Sequence, residues 1–229
     1  MANLPTPPQH DDTGYRAQPR GGPRIRSDII DVYIFQRTAK PPRGTVGASS
    51  GVAAASSSWG GVSPDTGADA GGASADVYFL QLKRTRDPLG RTWQPVMGHA
   101  EPGETAVQCA LRELSEEVGL APPPRGRGQG GGLETSFIHL WALEQVHPFF
   151  IAELDAIVLS PRFAAEVPPG WTPRLNDEHT AHRWVHWRDA VRASGEGAFM
   201  WPGQRAAARE IVGSLLVDGS VCRERLRVK

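Results

Sequence analysis

Between Gly98 and Leu120 the chain reads GHAEPGETAVQCALRELSEEVGL, and Glu113, Glu116 and Glu117 in it are related by steps of three and four. On a helix of 3.6 residues per turn that spacing gathers their carboxylates on one face. Like charges so placed cost a few tenths of a kcal/mol per pair, and carboxylates near a helix C-terminus lose about 0.3–1 kcal/mol to the helix dipole. A hard divalent cation removes the conflict. Mg²⁺, or Mn²⁺ in its place, takes carboxylate oxygens in an octahedral shell and keeps waters that a phosphate ligand displaces. Taken alone, three glutamates also read as a solvated helix face.

The elements that must position this face are legible in the hydrophobic pattern. Residues Ile29–Phe35, Val77–Leu82 and Trp93–Val96 are β-branched and aromatic, which predicts strands, and Thr105–Val118 carries Val107, Ala110, Leu111, Leu114 and Val118 on one helical stripe. Gly98 ends a strand and permits close backbone approach, Gly103 allows the tight helix entry, and Gly119 reads as a C-cap. Downstream, Ser136–Val146 and Phe149–Leu159 read as two strands bent at His147-Pro148, followed by a Pro-rich connection to Trp171. A last strand, Arg183–Trp187, leads to the helix of WRDAVRAS and a longer one from about Gly203 to Leu216. This alternation predicts an α/β (α+β) layered domain on a mixed sheet.

Composition sets the boundaries. Residues 1–27 are rich in Pro, Gly and Arg and read as a disordered tail, leaving 28–229 as one domain. Two low-complexity insertions interrupt it, a Gly/Ala/Ser stretch near 40–75 and a Gly/Pro/Arg stretch near 121–134, both read as flexible. Lys plus Arg and Asp plus Glu balance at 25 each, so no global field points to nucleic acid or membrane as a partner. Two distant cysteines, Cys109 and Cys222, form neither a disulfide framework nor a zinc spacing, which predicts a reducing, cytoplasmic setting. No apolar run approaches the roughly 18 residues of a membrane span, and the polar start lacks the apolar core of a signal peptide.

The spacing of Gly98, Glu104, Arg112-Glu113-Leu114, Glu116-Glu117 and Gly119-Leu120 resembles the Nudix box at all nine of its defined positions. The resemblance implies a Nudix-type α/β/α sandwich and water attack at phosphorus in a diphosphate linked to another group. It also implies that the Gly98 carbonyl with Glu113, Glu116 and Glu117 surrounds the metal, while Glu104 and Arg112 hold the loop-helix-loop together. Which glutamate activates water differs within the family; Glu113 is taken as the base, with Glu116 or Glu117 as chief ligands. To complete a phosphate site, Lys83, Arg84, Arg86 and Arg91 cluster in LKRTRDPLGRTW, Arg84 first among them.

Within the family, LKRTRDPLGRTWQPVMGHAEPGET is similar to the matching segment of dihydroneopterin triphosphate pyrophosphatases and dATP pyrophosphohydrolases, Trp93-Gln94 being the telling pair. NDEHTAHRWVHW is similar to their E-H-x-x-x-x-W segment, which makes Glu178 a further metal ligand or the base. Gly203 departs from that pattern, since an asparagine is common there. The resemblance therefore implies a Mg²⁺-dependent pyrophosphohydrolase of a nucleoside or pterin triphosphate, with Arg84, Trp93 and Gln94 on the substrate and Trp93 able to stack on a flat ring. The alternative keeps the chemistry and changes the substrate to a dinucleoside polyphosphate, a nucleotide sugar, ADP-ribose or a capped RNA. A third reading is a nucleotide-binding Nudix module without catalysis. A homodimer fits the resemblance, although no residue marks an interface.

Overall fold

The computed structural model describes residues 22–46, 76–85, 90–122 and 137–228. Residues 1–21, positions 47–75 and 123–134 of the two expected insertions, Ser136 at the start of an expected strand, and Arg86 lie outside the described residues. The elements are β1 (Arg24–Arg26), β2 (Ile29–Thr38), β3 (Thr45–Val46), β4 (Asp76–Arg84), β5 (Trp93–Gln94), β6 (Val96–His99), α1 (Ala106–Val118), β7 (His139–Ala142), β8 (Phe149–Ile151), β9 (Ala156–Val158), β10 (Arg162–Glu166), β11 (His179–His186), α2 (Trp187–Ala190), α3 (Pro202–Glu210) and α4 (Cys222–Arg225). Strand β1 falls within the stretch expected as tail, and β3 within the first expected insertion.

Among the described residues the main sheet runs β3-β11-β4-β2-β10-β7, with β5 beside β4 and β6 beside β2. It is mixed, because β2–β10 and β11–β3 are parallel while β2–β4 and β4–β11 are antiparallel. Strands β2 and β4 pair only from Phe35↔Phe79 to Thr38↔Asp76. Beyond that they part, so Ile29–Val32 pairs with β6 and Leu82-Lys83 pairs with β5. The fork delivers Gly98, at the end of β6, directly beneath the glutamate helix.

Period-2 alternation divides the core into two layers. Ile30, Val32 and Ile34 of β2, with Leu80 and Leu82 of β4, pack against Ala110, Leu114 and Val118 of α1. Tyr33, Phe35 and Phe79 face the other way, against Phe199, Ala207, Ala208 and Ile211. The result is the expected mixed sheet between helical layers. Leu114 is fully buried, and truncating such a leucine to alanine costs about 2–5 kcal/mol.

Two expectations need correcting. The Pro-rich connection after Leu159 contains a central strand: all of β10 is buried and runs parallel to β2. Its sequence, RFAAE, shows no alternation because a parallel strand is covered on both faces, and its terminal charges are neutralised by Asp31 and Arg37. The two long strands expected across 136–159 shrink to β7, β8 and β9, with β8 and β9 joined by a tight turn at Asp155, φ 44°. There β8 and β9 form a second, three-stranded sheet with β1. The last long helix is α3, continued by a π-helical turn over Ile211–Leu215.

Candidate active site

Helix α1 is fixed at both ends by its own sequence. Thr105 and Gln108 form a capping box, and Gly119, φ 69°, ends the helix with its amide donating to Ser115 O at 3.1 Å. Segment 174–176 then covers the last turn, with the Arg174 and Asn176 amides donating to the carbonyls of Val118 and Glu117. The helix packs so tightly on β6 that a β-carbon at Gly98 would overlap the carboxyl group of Glu113. Only glycine lets that carboxyl lie on the strand.

Arg112 organises the polar side of this contact. Its Nε and Nη2 donate to the two oxygens of Glu104, each at 3.0 Å, and Nη2 also reaches His99 O at 2.9 Å. Its Nη1 donates to Glu113 Oε1 at 2.8 Å and to Glu116 Oε2 at 3.1 Å. Hydrogen bonding to Arg112 holds the Glu104 carboxyl below its ordinary range. One guanidinium thus ties the entry loop, the strand end and two helix carboxylates together. Beneath it, burial pushes the Cys109 thiol up to about 12, helped by the charges of Glu104 and Glu113.

Glu117 lies deepest, 2% exposed. Its carboxyl is raised to about 9, chiefly by burial and then by the charges of Glu113 and Glu178, against Arg84 and a backbone hydrogen bond from Met97. Burial likewise raises Glu113, against Arg112 and together with Glu116 and Glu178. His179 Nε2 stands 3.9 Å from Glu117 Oε2. Both atoms are buried without a hydrogen-bond partner among the described residues, as is Nε of Arg84. Burial lowers the His179 imidazole.

A bulge explains how His179 arrives there. In β11, His179 pairs with Arg84 but Ala181 already pairs with Lys83, so Thr180 is the extra residue. In a regular strand His179 would share the face of Ala181 and Arg183; the bulge turns it to the α1 face. Glu178 is exposed beside it, its carbonyl accepting from the Thr85 amide at 2.8 Å.

The structure therefore brings together Gly98, Glu113, Glu117, Glu178 and Arg84, and adds His179. Glu116 is exposed and turned to Arg112, and Glu104 and Arg112 serve the loop. Trp93 and Gln94 separate: Gln94 pairs with Leu82 on the α1 face, its Nε2 buried without a partner among the described residues. Trp93 pairs with Lys83 on the opposite face, its ring under the Arg183 guanidinium at 4.2 Å. Sequence reasoning missed Arg183, and also the buried pair Arg162–Asp31 at 3.0 Å. At Gly203 a β-carbon would stand 2.8 Å from Arg162 Nη2, a physical reason for the missing asparagine.

The NUDIX domain model matches residues 69–202, more than half of the chain. The chain belongs to the Nudix family. Among the similar proteins, a Myxococcus xanthus protein called octanoyltransferase is 36% identical over 104 residues, covering 45% of this chain and 25% of that protein. A Sus scrofa asymmetrical bis(5'-nucleosyl)-tetraphosphatase is 32% identical over 93 residues, 41% of this chain and 54% of that one. The chain thus spans a quarter and about half of these two relatives. The crystal structure of a C. elegans Ap4A hydrolase binary complex superposes with a TM-score of 0.50 at 15% identity, covering 82% of this chain and 96% of that one, a likeness of fold alone.

The Nudix site fits a hard divalent cation in its chemistry. Three mutually repelling carboxylates, Glu113, Glu117 and Glu178, share one region with Glu117 Oε2 buried and unpartnered. In distance the side chains are not drawn together: among the described residues no three His, Cys, Asp or Glu converge closely enough to hold a metal. Arg112 accounts for part of this, since it engages one oxygen each of Glu113 and Glu116. Among the described residues no helix is long and apolar enough to cross a membrane.

Proposed function

We propose that the chain is a Mg²⁺-dependent Nudix hydrolase that cuts a phosphoanhydride bond of a dinucleoside polyphosphate. The observation that carries the hydrolytic reading is the Glu113–Glu117–Glu178 region, with its unpartnered buried oxygen and Arg84 alongside. The Gly98 carbonyl with Glu113, Glu116 and Glu117 would hold the cation. When bound, the cation supplies neutralisation of the phosphate oxygens and polarisation of the attacking water. Arg84 turns its guanidinium toward the same anions and receives a phosphate oxygen. Glu178, exposed and without an ion pair among the described residues, accepts the proton of the attacking water, whereas Glu113 is pinned between Gly98 and Arg112. His179, kept neutral by burial, holds the wall behind Glu117.

The substrate follows the relatives, two of which, from Sus scrofa and Mus musculus, are called asymmetrical bis(5'-nucleosyl)-tetraphosphatases. The triphosphate reading rests on the Trp93-Gln94 segment and is the second candidate. Product analysis with Mg²⁺ over diadenosine tetraphosphate, ADP-ribose, dihydroneopterin triphosphate and the nucleoside triphosphates separates them. Mono- and triphosphate products from the dinucleotide are expected. Pyrophosphate from a triphosphate as the faster reaction would replace the dinucleotide reading, and no turnover of any of them would overturn the enzymatic one.

A further inference from the structure

On the sheet face opposite α1 lies an open cleft of about 450 Å³, lined by Arg91, Trp93, Arg183, Glu196, Phe199 and Met200 among others. Arg183 lines it and is only 9% exposed. Its guanidinium carbon sits 4.2 Å from the centroid of the Trp93 ring, and its Nε donates to Gln81 Oε1 at 2.8 Å. Gln81 is held in turn, its Nε2 donating to Gly197 O at 2.8 Å. Ring below and amide behind fix the plane of the guanidinium.

Among the described residues no carboxylate forms an ion pair with Arg183; Glu196 acts on it only at longer range. A largely buried guanidinium without a carboxylate counter-charge is unfavourable, and an anionic ligand in the cleft supplies that charge. Lys83, 5.8 Å from the Trp93 centroid, and Arg91 add positive charge at the same place. Since Arg183 already covers Trp93, the ring acts as a platform for a cation. The cleft's chemistry selects phosphate oxygens.

The two faces meet at the end of β4. Lys83 and Arg84 are consecutive, so Arg84 faces the glutamates and Lys83 faces Trp93 and Arg183. We propose that Arg183, set on Trp93, binds phosphate groups beyond the cleaved anhydride, so that the protein prefers chains of four or more phosphates over triphosphates. This rests on the hydrolytic reading above and narrows its substrate class.

The test compares wild type with Arg183→Gln on diadenosine tetraphosphate and on ATP, with circular dichroism as the check of folding. The ratio of the two kcat/KM values, tetraphosphate over triphosphate, is expected to fall at least tenfold, through KM for the tetraphosphate. A ratio that stays within twofold in a folded variant overturns the proposal. If Arg183→Gln does not fold, Arg183→Lys carries the same test: it keeps the charge and loses the planar fork, so the ratio must still fall, and an unchanged ratio overturns the proposal. If wild type hydrolyses neither compound, the dinucleotide reading fails by itself. Calorimetric binding of inorganic tetrapolyphosphate then decides on Arg183: tenfold weaker binding by the variant supports its role, and equal binding ends it.

Discussion

Gly98 and Glu113 occupy space that a single methyl group would deny to one of them, because a β-carbon on Gly98 would overlap the Glu113 carboxyl carbon and Oε1. Backbone conformation does not demand glycine at this position; the neighbouring carboxyl does.

Gly98→Ala is accordingly expected to displace Glu113 by about an ångström, and a misplacement of that size lowers turnover by about 100-fold. The overpacking costs on the order of 1–3 kcal/mol, which leaves a folded protein. Steady-state kinetics beside a thermal melt check this. Wild-type turnover in a folded Ala variant would show that Glu113 need not lie on the strand.

Glu117 makes a prediction about pH. Its carboxyl is raised by burial from the ordinary 4.5 to about 9, so above pH 4.5 the unfolded chain releases a proton that the folded chain keeps. Stability contributed at this position is therefore present in acid and declines as pH rises toward 9. At pH 7 the loss amounts to about 3 kcal/mol at most, by the relation of 1.4 kcal/mol per pH unit. In chelator, Glu117→Gln should melt higher than wild type at pH 7–8, with the gap closing toward pH 4.5. Added Mg²⁺ should raise the melting temperature of wild type and not that of the variant. A variant that melts lower in chelator would mean that Glu117 is held ionised by its neighbours.

What the sequence disclosed and what it concealed divide along physical lines. Glu113 and Glu117 were legible because helical spacing is periodic and Gly98 marks a close approach. Strand β10 was not, because RFAAE takes its burial from partners far along the chain, Arg162 from Asp31 and Glu166 from Arg37. His179 reaches Glu117 through a one-residue bulge, and a bulge leaves no reliable trace in composition. Trp93 was legible as an aromatic near the site, yet the pairing that sets its face and the guanidinium that covers it belong to β4 and β11.

Arg162 and Asp31 are almost fully buried, and Arg162 Nη1 also donates to Gly203 O at 3.1 Å, joining β10 to α3. Removing one member leaves the other charged and unpaired in the core, so Arg162→Met is expected to destabilise by about 3–5 kcal/mol. The double change Asp31→Asn with Arg162→Met should recover much of that loss. Urea denaturation of the four proteins measures the coupling. Additive losses would mean that the two side chains contribute separately, through packing.

Arg112→Lys tests whether charge alone suffices at the centre of the clamp. The guanidinium serves Glu104, Glu113, Glu116 and His99 O at once, and a lysine ammonium cannot match that fork geometry. With Glu113 and the strand end no longer tied to the entry loop, kcat/KM should fall by about tenfold or more, carried by kcat. The concentration of Mg²⁺ for half-maximal rate should rise as well, because the carboxylates lose their common brace. An unchanged kcat in Arg112→Lys would show that the capping box and Gly119 fix α1 tightly enough by themselves.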